Sequence, residues 1–161
     1  MSKKAGLVVR GARGCVKVDP DVFAWASKMS WHLHKGYPAT TSGSGRAAQK
    51  RYLHREVVGA KPGDIIDHRT NDPLDARREN LRKATKKQNS ANTGAFAGNR
   101  SGAKGVVQRG VKFRAVIHED GRTVNLGTFD TKKAAACAYD REAKRRFGQF
   151  AGVNGACDED D

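Results

Sequence analysis

Residues 102–154 carry the clearest alternation in the chain. In GAKGVVQR, VKFRAVIHE and RTVNLGTF, apolar and polar side chains alternate at a period of about two, which is the period of a half-buried strand. The joints between these runs are short and contain glycine, at Gly110 and in Glu119-Asp120-Gly121, as hairpins require. The period then changes. Past Asp130 and Thr131, either of which can cap a helix, Ala135, Ala138, Tyr139, Ala143 and Phe147 form a helical stripe that ends at Gly148. The pattern predicts a three-stranded antiparallel sheet packed on one helix. Alternation turns Phe113, Ala115, Ile117, Val124 and Leu126 inward, and Arg114, Val116, His118, Thr123 and Asn125 outward.

The first half is less regular. Residues 7–58 read as short strands with turns: a strand in GCVKVD, a helical turn in DPDVFAWASKMSW packed by Phe23, Trp25 and Trp31, and a further strand in HLHKGYPATT. TTSGSGRAAQK reads as a polar loop. Leu53, Val57 and Val58 are apolar, AKPGD is a turn, and Ile65-Ile66 lead directly into Asp67-His68. A loop through Asp72-Pro73 and residues 77–80 precedes a short strand, LRKAT. Thr85 and Gln88 have the spacing of a helix N-cap and its reciprocal partner. KKQNSAN is therefore expected to open a helix, with Asn89 in its second turn. The order is strand, loop, strand, helix, with Asp67 and His68 closing the first strand and Asn89 expected to project towards them. Residues 93–101, TGAFAGNRS, read as a linker, and CDEDD as a disordered acidic tail.

Composition adds a partner class. Lys and Arg number 31 against 17 Asp and Glu, a formal charge of +14 spread along the chain, which fits an extended contact with a polyanion. Aromatic residues are only 7%, which counts against an RNA-binding protein built on stacking platforms. Cys15, Cys137 and Cys157 are odd in number, far apart and without a CxxC, so a zinc knuckle or disulfide framework is not expected. Reduced thiols in a cytoplasmic compartment are the simplest reading. MSKKAGLVVRGARG lacks the apolar run of a signal peptide, and no stretch approaches a membrane span.

The candidate chemistry lies in residues 67–92. Asp67 offers a hard anionic oxygen, His68 is the side chain suited to accept a proton near neutral pH, and Asn80 and Asn89 offer amide groups. These are the parts for activating a water beside a divalent cation on a phosphodiester. Arg69 and Arg82 are candidates to clamp a phosphate oxygen. His54, in YLHREVV, is a possible accessory at the site, although a structural role in the hairpin is favoured. His32 and His34 would share one strand face, but no carboxylate or thiol accompanies them at metal-ligand spacing.

With DH at 67–68, LDARRENLR at 74–82 and TKKQN at 85–89, preceded by WHLHKGYPATT and YLHRE, the chain resembles the phage-type HNH homing endonucleases. That resemblance implies a ββα-metal finger. Asp67 and Asn89 would be metal ligands for Mg²⁺ or Mn²⁺, His68 the general base, and Asn80 the residue that holds the His68 loop. Ala76 departs from the family pattern, which has Asn there, and a looser loop is expected. Residues 102–154 resemble the plant APETALA-type ethylene-response-factor DNA-binding domain, in GVVQR, KFRAVIH, NLGTFDT, AAACAYDREAKRRFG and FAGVN. Its sheet would lie in a DNA groove, with Lys104, Arg109, Arg114, His118, Arg122, Thr123 and Asn125 as the contacts. Val107, Val116 and Asn125 replace groove-facing Arg and Trp of the plant pattern, which implies a looser sequence preference.

The expected whole is an α+β chain. Residues 1–92 are an HNH module with a β-rich lead-in, 93–101 a linker, 102–154 a sheet-and-helix DNA-binding domain and 155–161 a tail. Its partner is double-stranded DNA, its compartment the cytoplasm of a bacterial or phage-infected cell, and its state a monomer or weak dimer. The rival is a DNA-binding regulator or architectural protein that has lost catalysis, which differs only at Asp67, His68 and Asn89.

Overall fold

The computed structural model describes residues 5–96 and 98–157. The acidic residues 158–161 of the expected tail lie outside them. The chain divides into two compact units, residues 1–85 and residues 86–161.

The first unit opens with β1 (Ala5–Val8) antiparallel to β2 (Cys15–Val18), followed by α1 (Pro20–Ala26). Pro20 suits the first helical position, where its missing N–H has no partner to lose. β3 (His32–His34), β4 (Tyr37–Ser42) and β5 (Gln49–Tyr52) form an antiparallel sheet in that order. The expected single strand through HLHKGYPATT is therefore a hairpin. Lys35 and Gly36 both take positive φ, 52° and 85°, which reverses the chain in two residues. The expected loop also ends early, because Gln49 and Lys50 pair with Ser42 and Thr41.

α2 (Leu53–Val57) buries Leu53 and Val57 in a core with Val16, Val18, Val22, Ala26 and Trp31. Trp25 packs edge-on against Trp31, whose Nε1 donates to the Ala26 carbonyl at 2.9 Å. Phe23, expected beside them, is exposed. β6 (Ile65–His68) and β7 (Leu81–Ala84) close the unit as an antiparallel pair.

The second unit begins with α3 (Lys86–Asn92), the helix expected to belong with the β6–β7 hairpin in residues 1–92. β8 (Val106–Arg109), β9 (Lys112–Glu119) and β10 (Arg122–Phe129) form a sheet in sequence order. Asp120 and Gly121 both take positive φ, which sets the β9–β10 register with His118 opposite Thr123. α4 (Lys132–Phe147) follows. The Thr131 hydroxyl accepts from the Ala134 N–H at 3.2 Å to cap its start, and Gly148 at φ 52° ends it. Ala135, Ala136, Tyr139 and Ala143 of α4 share buried clusters with Val106, Ala115 and Ile117 of the sheet. Gly105 is required there: a Cβ would stand 2.0 Å from the Tyr139 ring.

Three expectations change in this unit. Val116, expected outward, is buried, and its N–H donates to the Gly105 carbonyl at 2.7 Å. The expected linker is part of the fold from Asn99 onward. Buried Ser101 donates to the Val106 carbonyl at 2.8 Å, and Asn99 donates to the Ala103 carbonyl at 2.6 Å. Of the three thiols expected to be reduced, Cys15 is free, and Cys137 and Cys157 are joined as a disulfide. The chain past α4 doubles back along the helix, where buried Asp140 accepts from the N–H groups of Asn154 and Ala156 at 2.8 and 3.1 Å and from Asn154 Nδ2 at 2.9 Å. That return brings Cys157 alongside Cys137, so residues 155–157 are pinned.

Candidate active site

Asp67 and His68 are the last two residues of β6, opposite Arg82 and Leu81 of β7. Both are buried, with 3% and 6% of their surface exposed. Consecutive strand residues leave on opposite faces, and their partners differ accordingly. Asp67 Oδ2 accepts from Arg82 Nε at 2.7 Å. The His68 ring lies 5.1 Å from the His54 ring and 5.8 Å from the Tyr37 ring.

The loop from Arg69 to Asn80 is tightly fastened. The Asn71 N–H donates to the His68 carbonyl at 2.9 Å, with Asn71 itself at φ 59°. Buried Asn80 ties both sides of the loop. Its Oδ1 accepts from the Thr70 N–H at 3.0 Å, its Nδ2 donates to the Asp75 carbonyl at 2.8 Å, and its carbonyl accepts from the Arg69 N–H at 2.8 Å. Asp75 is a buried carboxylate held by the Arg77 fork at 2.8 and 2.6 Å. Arg78 reaches Asp19 and Asp21 of the α1 start.

The expectation of a looser loop at Ala76 is not what the structure shows. Ala76 is 1% exposed and packs in the core, and its N–H donates to the Lys17 carbonyl at 2.9 Å. An Asn side chain there would bury an amide among apolar neighbours.

Burial sets the protonation of the two imidazoles. It pushes His68 below its ordinary value, and Asp67, Asp72 and Asp75 oppose that shift without reversing it. His54 is pushed down to about 4, first by burial and then by the nearby His68 and Arg55. Its Nδ1 is buried with no hydrogen-bond partner among the described residues. Both rings are therefore neutral at pH 7, as a proton acceptor must be.

The donor set fits one kind of cation. Among the described residues no group of three or more His, Cys, Asp and Glu is placed to hold an ion. Asp67 offers a carboxylate, which suits a hard ion that keeps most of its positions for water and phosphate oxygens.

The other expected residues are placed as follows. Arg69 is exposed directly after His68. Arg82, expected to clamp phosphate, is buried against Asp67 instead, because the hairpin register sets the two side by side. Asn89 is half-buried on α3, in the second unit. In that unit Arg109, His118, Arg122, Thr123 and Asn125 are exposed. His118 Nδ1 and Thr123 Oγ1 are hydrogen-bonded at 2.8 Å, and Asn125 Oδ1 accepts from the Gly127 N–H at 3.1 Å. Arg114 is half-buried on the sheet. Lys104, expected on the DNA-facing surface, is half-buried and donates to the Ala91 carbonyl, and burial lowers its ammonium to about 8.

Pattern reading overlooked Tyr37 and Asp75. Tyr37 reaches His68 from another sheet, which no local spacing reveals. Asp75 had a signal, an Arg two residues on in LDARR.

Known proteins resemble this chain over the hairpin and beyond it. Residues 51–91 match the family model described as HNH endonuclease. The chain is 30% identical over 151 residues to an uncharacterized HNH endonuclease of Acanthamoeba polyphaga mimivirus, across 92% of this chain and 79% of that protein. No solved structure matches. No helix among the described residues is long and apolar enough to cross a membrane.

Proposed function

The chain belongs to the HNH endonucleases, enzymes that hydrolyse phosphodiester bonds, and from that premise we propose that it nicks or cuts double-stranded DNA with one divalent cation, Mg²⁺ or Mn²⁺, and with His68 as its general base. The observation that carries this reading is a buried His68 directly beside Asp67 at the end of a strand.

The neutral imidazole takes a proton from water as the water oxygen forms its bond to phosphorus. The opposite P–O bond breaks, and the leaving oxygen keeps the electron pair. Asn80 keeps the chain after His68 in one conformation, so the ring meets the water without prior reorganisation. Asp67 and, by the family pattern, Asn89 would supply oxygen donors to the cation. When bound, the cation would offset the negative charge that builds on the phosphate oxygens. Exposed Arg69 would contact the backbone next to the cut.

In this reading the second unit directs the enzyme to DNA. Its sheet resembles the ethylene-response-factor domain in sequence, and Arg109, Arg114, His118, Arg122 and Thr123 would meet phosphates and base edges. Lys104 is left out of that surface because its ammonium is engaged with Ala91.

The test is supercoiled plasmid incubated with the purified chain and Mg²⁺ or Mn²⁺, beside His68→Ala. Open-circle or linear product that vanishes in the variant is the expected result. Intact plasmid binding with no conversion in either metal, on plasmids carrying diverse inserts, would point to a DNA-binding protein without catalysis.

A further inference from the structure

The Asp67–Arg82 pair carries a role beyond holding the hairpin together. Arg82 Nε meets Asp67 Oδ2 at 2.7 Å, and the two side chains are only 7% and 3% exposed. They face each other across β6 and β7, so the register holds them together independently of substrate. Lys83, next on β7, is turned away to Asp64 at 3.0 Å and does not share the role. A carboxylate this deeply buried needs a counter-charge, and removing one partner of such a pair leaves the other uncompensated.

We propose that Arg82 is a positioning residue that also stands in for the metal. It compensates Asp67 and orients its carboxylate in the metal-free protein, and the divalent ion binds against a charge that is already partly offset. This rests on the reading of Asp67 as a metal ligand. The metal-free fold is stable without an ion, as with any structural bridge. The consequence that separates the two is that the ion binds more weakly than the carboxylate alone would allow, because two cations then share one anion. Arg82 is thus kept from the phosphate.

The experiment uses the full chain, with Mn²⁺ as the probe. Binding is followed by the electron paramagnetic resonance signal of free Mn²⁺, and melting by the fluorescence of Trp25 and Trp31, both in the first unit. Arg82→Met keeps the length and removes the charge. It is expected to melt lower without metal, to regain more on Mn²⁺ addition than the wild type does, and to bind Mn²⁺ about tenfold more tightly. Arg82→Lys keeps the charge but not the planar fork. Its Mn²⁺ affinity is expected to stay within about threefold of the wild type while kcat on plasmid falls about tenfold.

An Arg82 that only braces the fold would lower melting equally with and without Mn²⁺ and leave affinity unchanged, and that result overturns the proposal. If Arg82→Met folds only with Mn²⁺, the proposal stands. If it folds under neither condition, Arg82→Lys decides: wild-type kcat, or an affinity change beyond threefold, overturns it. Asp67→Asn separates the two levels of the argument. Unchanged Mn²⁺ affinity in that variant would mean that Asp67 is not the ligand, and the underlying reading fails with it.

Discussion

Acidification should weaken the first unit through His54, and the size of the effect can be worked from its burial. His54 is held at about 4 in the folded chain against an ordinary value of 6.5. Its folded-state value is depressed, so the unfolded chain takes up a proton first as pH falls. Stability is therefore full above about 6.5 and is lost progressively as pH drops towards 4. Treating it as one site, the loss is roughly 1 to 2 kcal/mol at pH 5.5 and roughly 2 to 3 kcal/mol at pH 4.5. His68 is shifted in the same direction and adds to it.

The assay is urea unfolding from pH 7.5 to 4.5, followed by tryptophan fluorescence, because Trp25 and Trp31 are the chain's two tryptophans and both belong to the first unit. Carboxylates also titrate in this range, so the comparison is with His54→Phe. The variant keeps a planar ring and loses an Nδ1 that had no partner. It should be near wild type in stability at pH 7.5 and should lose less below pH 6, by the amounts above. Parallel pH profiles for the two chains would refute the reasoning, since they would mean that His54 protonates as easily folded as unfolded.

Asn80→Ala leaves the Thr70 N–H and the Asp75 carbonyl without their side-chain partner and should cost about 2 kcal/mol by urea unfolding, with a larger proportional loss in plasmid nicking than in DNA binding. Cys157→Ser opens a loop closed over 20 residues and should lower the stability of the second unit by about 3 kcal/mol, read by calorimetry with and without a reductant; a variant as stable as the oxidised wild type would argue against the bridge. Asp140→Ala removes a buried acceptor of three hydrogen bonds and should cost about 3 kcal/mol, with faster amide exchange at Asn154 and Ala156 than at Ala115.

What was legible in the sequence was what the chain decides locally. Asp120-Gly121 permits one tight turn, so the alternation on either side of it sets the β9–β10 register. Lys35-Gly36 makes the same kind of turn inside HLHKGYPATT, yet it is flanked by only three residues of β3, too few to show a period, and the hairpin was missed. Alternation turns Val116 outward, and pattern alone cannot show that this position is buried. The Cys137–Cys157 pairing depends on a chain reversal held by Asp140, a contact between residues 14 and 16 positions apart.

The same boundary runs through the candidate site. Asp67, His68 and Asn80 sit on one hairpin and its loop, so a short motif carries them together. Arg82 belongs to that motif too, but its role turns on register. A shift of one residue would have turned its side chain to the opposite face, away from Asp67. With Asp67 and Arg82 opposed and buried, the guanidinium Nε meets the carboxylate, and a basic residue that looks like a phosphate contact becomes part of the carboxylate's own setting. Tyr37 and His54 complete the surroundings of His68 from β4 and α2. Their packing around that ring goes with a value pushed below the ordinary one, so the motif names the imidazole while the rest of the unit sets its protonation.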